Sequence, residues 1–172
     1  MKALSRNIRL PNLLAVLATL AILVYAGGFA IAIAVSDLIY FSTQREMAFW
    51  GVDGRKPDNA TLDMTEQSMT AALAWWPGHP DYLALMARIH AWRNQTASNR
   101  TVAVEEAKLA IAFMKMCLES RPGNPYSWAQ YAELLSLRRD KVIEMKYAIV
   151  KVSVLGKGDV MLQQRMRALK AP

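Results

Sequence analysis

Two segments of this chain, separated by about 45 residues, are close to copies of each other. The first runs from Pro77 to Arg88 (PGHPDYLALMAR) and the second from Pro122 to Glu133 (PGNPYSWAQYAE), so two prolines, a glycine and two alanines recur at matching positions. A Pro-Gly turn that opens a helix and returns at this period is typical of helical repeat arrays. Because such arrays usually act by binding, the pattern favours a binding function over a catalytic one.

A long uncharged segment near the N-terminus predicts a membrane span. No charged residue lies between Arg9 and Asp37, and residues 13–35 are almost all Leu, Ala, Ile, Val and Gly. As a helix this segment would be about 34 Å long, enough to cross the roughly 30 Å hydrocarbon core of a bilayer. The apolar core of a signal peptide is shorter, about 7–15 residues, so we expect an uncleaved anchor. Cleavage near the Ala32–Ala34 segment is the alternative.

The charges that flank this span predict its orientation. Lys2, Arg6 and Arg9 precede it, and Asp37 is the first charge after it. Short basic flanks stay in the cytoplasm, so residues 1–12 are expected there. The rest of the chain would then lie outside the cytoplasm. For a bacterium this predicts a single-pass inner-membrane protein with a periplasmic domain.

The remainder of the chain predicts an all-α fold. Residues 36–56 are expected to form a juxtamembrane segment and linker, because aromatic residues are followed by glycines and a proline. Residues 57–172 alternate apolar stripes of helical period with polar turns and are expected to form the periplasmic domain. The predicted helices cover residues 61–76, 81–93, 101–120, 141–155 and 160–171, with another after the second Pro-Gly turn and a polar loop at 94–100.

The chain is basic, with a formal net charge of +7. Much of the positive charge beyond the span lies near the C-terminus, at Lys151, Lys157, Arg165, Arg167 and Lys170. We interpret these residues as a solvated helix face, with contact to anionic lipid or an acidic polymer as the alternative. Basic clusters interleaved with aromatic residues are missing, so nucleic acid is not an expected partner.

Residues that commonly carry catalysis or bind metals are few and badly spaced. The two histidines, His79 and His90, are eleven positions apart, and we expect both to be structural. Glu105 and Glu106 resemble acids of a first helical turn, and Cys117 stands where a small apolar residue would pack. We therefore predict no catalytic residue, no cofactor-binding residue and no metal ligand, and hence a protein that is not an enzyme.

The two copies resemble tetratricopeptide repeats. Trp128, Tyr131, Ala132 and Leu135 match the first-helix signature of that family, as do Leu83, Met86 and Ala87 in the earlier copy. Ala110, Met114, Cys117 and Pro122 match the second helix between them. About eleven extra residues in the earlier repeat depart from the family pattern. The resemblance implies two irregular repeats, a leading half-repeat and a terminal capping helix.

The layout is also similar to that of the VpsP-type polysaccharide biosynthesis proteins, which have an N-terminal membrane span followed by degenerate tetratricopeptide-like helices. The similar segments are residues 121–129 and 154–160, and the second contains a Leu-Gly turn before the last helix. Membership would imply an accessory role in making or exporting an exopolysaccharide. It would not identify a catalytic residue.

Candidate binding residues lie where the two copies differ. Repeat arrays commonly bind through the face formed by their first helices, which here would include Asp81, Arg88, Tyr126 and Glu133. Arg88 aligns with Glu133, so the copies present opposite charges, which suits a protein or peptide better than a uniformly anionic polymer. Separately, the adjacent Trp75 and Trp76 cannot both face one core and are candidates for stacking on a glycan.

Together these features predict a membrane-anchored, non-catalytic scaffold in a bacterial envelope assembly, with exopolysaccharide biosynthesis or export as the first candidate. The expected partners are envelope proteins, the lipid bilayer around residues 13–35 and, as a further candidate, a polysaccharide. The alternatives are a scaffold for cytochrome maturation or for pilus or secretion assembly, and a periplasmic glycan-binding protein.

Overall fold

The computed structural model describes residues 10–170, which are helical apart from their connections. The all-α prediction is confirmed for this range, which contains no β-strand. Its seven α-helices are α1 (Leu10–Met47), α2 (Asn59–Trp75), α3 (Pro80–Thr96), α4 (Arg100–Ser120), α5 (Pro125–Ser136), α6 (Val142–Leu155) and α7 (Val160–Lys170).

The N-terminal half of α1 stands apart from the rest of the protein. The helix is long and apolar enough to cross a membrane, and every side chain from residue 12 to residue 31 is exposed. A core helix of a water-soluble protein would bury at least one apolar face. Here no other part of residues 10–170 covers this stretch. Most of the expected cytoplasmic segment, residues 1–12, lies outside the described residues.

The segment expected to be a linker, residues 36–56, is mostly helical and packed. Helix α1 continues to Met47, and its last three or so turns lie against α2 and α3. Met47 and Trp50 are buried. The chain then turns through Gly51 and Gly54, whose φ angles of 84° and 77° glycine adopts without strain. The segment is ordered because its apolar side chains enter the core.

The two Pro-Gly segments open α3 and α5, as the repeat predicts. Pro80 and Pro125 occupy the first turn of these helices. Proline has no amide hydrogen, but an amide hydrogen in the first turn would form no hydrogen bond within the helix. Helix α3 packs along α4, and α5 packs along α6. Each copy therefore begins a pair of neighbouring helices.

The polar loop predicted at residues 94–100 is much shorter in the structure. Helix α3 continues through Thr96, whose hydroxyl donates a hydrogen bond to the Trp92 carbonyl, and α4 already begins at Arg100. The Asn94 side chain belongs to α3 and donates to the Ala103 carbonyl of α4. The prediction was wrong because these polar side chains bond to helix backbone and do not interrupt it.

Two clusters of buried side chains form the core. The larger joins α3 through α7 and includes Ala87 and Ala132, both fully buried, as expected where helices approach closely. Cys117 lies in the same cluster, in its predicted packing role. The smaller cluster joins the end of α1 with α2 and α3 around Leu62 and Met69.

Candidate functional site

A groove between α3, α5 and α7 gathers most of the predicted partner-binding residues. Its volume is about 450 Å³. The polar and charged side chains that line it include Arg88, Gln95, Tyr126, Gln130, Glu133 and Arg165.

The helical period explains why these side chains share one groove. Arg88, Trp92 and Gln95 follow one another at spacings of four and three on α3. Tyr126 and Gln130 are one turn apart on α5. Residues three, four or seven positions apart lie on the same face of an α-helix. One face of α3 and one face of α5 therefore line the groove together.

Arg88 is the distinctive charge of the groove. Its side chain is partly buried, and within residues 10–170 it forms no ion pair and no hydrogen bond. Burial, followed by the nearby positive charge of Arg165, lowers the pKa of the Arg88 guanidinium. The group nevertheless stays charged at neutral pH, because arginine starts from a very high pKa. A partly dehydrated cation without a carboxylate partner favours the binding of an anionic group.

Glu133 and Arg165 form an ion pair at the edge of the groove. Arg165 donates hydrogen bonds from Nε and Nη2 to the two carboxylate oxygens of Glu133, and Nη2 lies 2.5 Å from Oε2. Such a forked pair fixes the two side chains in one geometry. The two copies do present opposite charges to the groove, at Arg88 and Glu133, but α7 supplies the cation that neutralises Glu133.

Tyr126 stands exposed at the mouth of the groove. Its hydroxyl donates a hydrogen bond to Asp159, with 2.5 Å between the oxygens. This bond to a carboxylate raises the pKa of the Tyr126 phenol. The side chain is thus held by the turn before α7 and stays more than half exposed.

The fourth predicted residue, Asp81, lies outside this groove. Both of its carboxylate oxygens accept hydrogen bonds from the Arg121 guanidinium, at 2.6 and 2.8 Å. Asp81 thus joins the start of α3 to the end of α4. The sequence placed it on the binding face by alignment with Tyr126, but its charge is already paired within the fold.

Four of the groove residues were not predicted from the sequence: Trp92, Gln95, Gln130 and Arg165. Gln95 and Gln130 follow Arg88 and Tyr126 at helical spacing, a signal that was present in the sequence. Arg165 was expected on a solvated face. Its position depends on how α7 docks against α5, and α7 is not part of either repeat copy.

The tryptophans proposed to stack on a glycan lie elsewhere, at the end of α2. Both are exposed, Trp75 by 60% and Trp76 by 44%. Neither lines the groove. The two candidate surfaces are therefore separate.

Other groups with potential chemistry are held inside the fold. His90 is buried, with Nδ1 2.7 Å from Glu106 Oε2 and its ring stacked on Phe113. Glu105 pairs with Lys108, and both glutamates lie beyond the first turn of α4, contrary to expectation. Burial raises the pKa of the Cys117 thiol, which disfavours the reactive thiolate.

The groove therefore offers one unmatched guanidinium, two side-chain amides, an indole and a phenol. Guanidinium and amide groups bind carboxylates and peptide backbone, and the flat rings cover apolar surface. The chain matches no protein-family model, no curated protein and no solved structure.

Proposed function

We propose that this protein is a membrane-anchored, non-catalytic adaptor that binds an acidic segment of a partner protein in the groove between α3, α5 and α7. The observation that carries the proposal is Arg88, a partly buried cation that has no carboxylate partner in residues 10–170. A partner carboxylate would restore the interactions that the guanidinium lost on leaving water.

The surroundings of Arg88 favour a peptide over a small ion. Gln95 and Gln130 can each donate and accept hydrogen bonds, which matches the alternating amide and carbonyl groups of a peptide backbone. Trp92 and Tyr126 provide flat apolar surface for neighbouring side chains. A volume of about 450 Å³ accommodates a few residues and not a folded domain.

Helix α1 supplies the anchor in this proposal. Its exposed apolar half would cross the membrane, and the basic residues before it would keep the N-terminus in the cytoplasm. In a bacterium the groove would then face the periplasm. The two helix pairs would form an irregular tetratricopeptide-like array, with α7 as its capping helix.

The setting suggested by the resemblance is an envelope assembly for exopolysaccharide biosynthesis or export. Cytochrome maturation and pilus or secretion assembly are the alternative settings. In each of them the protein would hold a partner at the membrane surface and perform no chemistry itself.

Site-specific photo-crosslinking in intact cells tests the adaptor proposal. A photoreactive amino acid replaces Gln95 in the groove or, as the control, Gln67, an exposed glutamine of α2 outside it. We expect Gln95 to yield a discrete adduct, identified by mass spectrometry, that Gln67 does not yield. Arg88→Ala should lower the adduct yield about tenfold or more, because a charge-assisted hydrogen bond contributes about 1.5–3 kcal/mol.

Arg88→Lys separates charge from geometry, since it keeps the cation but loses the planar fork. It should retain an intermediate adduct yield, and thermal melts should show all variants folded. Equal adducts from Gln95 and Gln67, or a yield unaffected by Arg88→Ala, would refute binding in the groove.

A further inference from the structure

Trp75 and Trp76 form an exposed aromatic pair that the groove does not use. They end α2 and are followed by the turn Pro77–His79. Exposing two adjacent indoles to water is unfavourable, and the rest of residues 10–170 covers them only in part. Their position relative to α1 indicates what covers them.

Helix α2 runs back along α1 toward the apolar segment. Ser42 and Glu46 of α1 line the same shallow depression as Thr61 and Ser68 of α2. Because the two helices are antiparallel, moving forward along α2 corresponds to moving backward along α1. From Thr61 to Trp75 is about 21 Å, and from Glu46 back to Val35 is about 16 Å, at about 1.5 Å per residue. Trp75 therefore reaches the level at which the apolar segment ends.

A chain of aromatic contacts fixes the turn at this level. The Tyr82 hydroxyl donates a hydrogen bond of 2.5 Å to Asp37, only two residues beyond Val35. The His79 ring packs on the Tyr82 ring with centroids 4.0 Å apart, and the Trp76 ring meets the His79 ring at 4.7 Å. Side-chain contacts thus tie Trp76 to the end of the apolar segment, and Trp75 is its neighbour in the chain.

The same level of α1 carries further exposed apolar side chains. Leu38 and Phe41 are more than half exposed and continue the apolar surface past Asp37. Tryptophan is enriched where hydrocarbon meets lipid headgroups, because its ring is apolar and its N–H needs a polar partner. The surface and its depth therefore match a bilayer interface.

We propose that Trp75 and Trp76 insert into the headgroup boundary of the membrane that α1 spans, and so form a second membrane contact that sets the orientation of the groove. This inference rests on the membrane anchor proposed above. With α1 as the only contact, the domain could tilt together with this helix relative to the bilayer. With two contacts the groove is held at a fixed height and direction above the bilayer.

Quenching of tryptophan fluorescence by brominated phosphatidylcholine tests the second contact. The full chain is reconstituted into vesicles that carry bromine on the acyl chains near the headgroups. Trp75→Phe/Trp76→Phe should remove most of the emission that the brominated lipid quenches. Trp128→Phe is the matched control and should leave that quenched fraction unchanged, because Trp128 packs on Tyr131 and Tyr147, away from α1.

Flotation of the vesicles after an alkaline wash separates the two proposals. If the chain fails to float with the lipid, the anchor itself is refuted. If the chain floats and the fluorescence of the double variant is quenched as strongly as that of the wild type, the anchor stands and the second contact is refuted. A change in the fluorescence of Trp75 and Trp76 on addition of alginate, without quenching by brominated lipid, would also overturn the inference and favour glycan stacking.

A spin label provides an independent measurement if the double variant unfolds. A label on Trp75→Cys should collide more often with oxygen than with a water-soluble nickel complex. The native Cys117 is buried and remains unlabelled. On Leu137→Cys, directly after the C-terminal end of α5, the preference should reverse. Equal accessibility to the nickel complex at both sites would contradict the proposed insertion.

Discussion

Gly156 and Gly158 lie two residues apart in the turn between α6 and α7, but only the first is enclosed. A Cβ added to Gly156 would lie 2.7 Å from Leu162 Cδ2 and 3.1 Å from the Val152 carbonyl oxygen. Leu162 is itself buried and has little room to move. A Cβ added to Gly158 would have no neighbour within 4 Å. Close approach of α6 and α7 is therefore what requires glycine at position 156.

The two glycines make a matched pair of substitutions. Gly156→Ala should lower the free energy of unfolding by about 1–3 kcal/mol, the usual cost of overpacking a core. Gly158→Ala should change it by no more than about 0.5 kcal/mol. Urea denaturation of the full chain in detergent measures both values. An equal effect of the two substitutions would show that α7 does not pack on α6 as described.

At the scale of the helices, the repeat copies differ in how they cap their first helix. The Asn124 side chain accepts hydrogen bonds from the backbone N–H groups of Tyr126 and Ser127 at the start of α5. His79, at the matching position before α3, makes no such cap and instead packs on Tyr82. One copy uses this position to stabilise a helix end, and the other uses it to fix the turn beside α1.

Removal of the α5 cap should be measurable. Asn124→Ala should lower the free energy of unfolding by about 1 kcal/mol, because two amide groups lose their acceptor. Asn124→Ser keeps a capping oxygen and should cost only a few tenths of that amount. Chemical denaturation compares the two variants. If both behave like the wild type, the cap does not contribute to the stability of α5.

At the scale of the whole molecule, α1 belongs both to the proposed anchor and to the core. Its end contributes Met47 to the cluster around Leu62 and Met69, and Trp50 follows in the same cluster. Trp50 also meets Trp92, which lines the groove. The connection after α1 therefore touches the groove helix and cannot be removed without exposing core residues.

Truncation tests this dual role. A fragment of residues 57–172, the domain expected from the sequence, should be less stable than a fragment of residues 36–172 by about 3 kcal/mol or more. Each buried side chain of this size contributes about 1.5–3 kcal/mol, and the shorter fragment lacks both Met47 and Trp50. Urea midpoints of the two fragments provide the measurement. Identical midpoints would mean that residues 36–56 are a linker after all.

Much of the groove could be predicted from the sequence, because residues on one helical face follow a local period. Arg88, Tyr126 and Glu133 were found by comparing the repeat copies, and three of the four predicted residues share the groove. Asp81 was misplaced because its partner, Arg121, lies 40 positions away. Residue type and spacing do not report which charges are already paired within a fold.

The sequence alone determined the helical class, the apolar first half of α1 and the two Pro-Gly turns that open α3 and α5. These features depend on side-chain period, hydropathy and backbone preferences that act within a few residues. Only the tertiary structure decided that Arg165 neutralises Glu133 and leaves Arg88 unmatched, and that Trp75 lies level with the end of the apolar segment. Both outcomes depend on which faces of distant helices meet, and the local pattern of a sequence does not specify that.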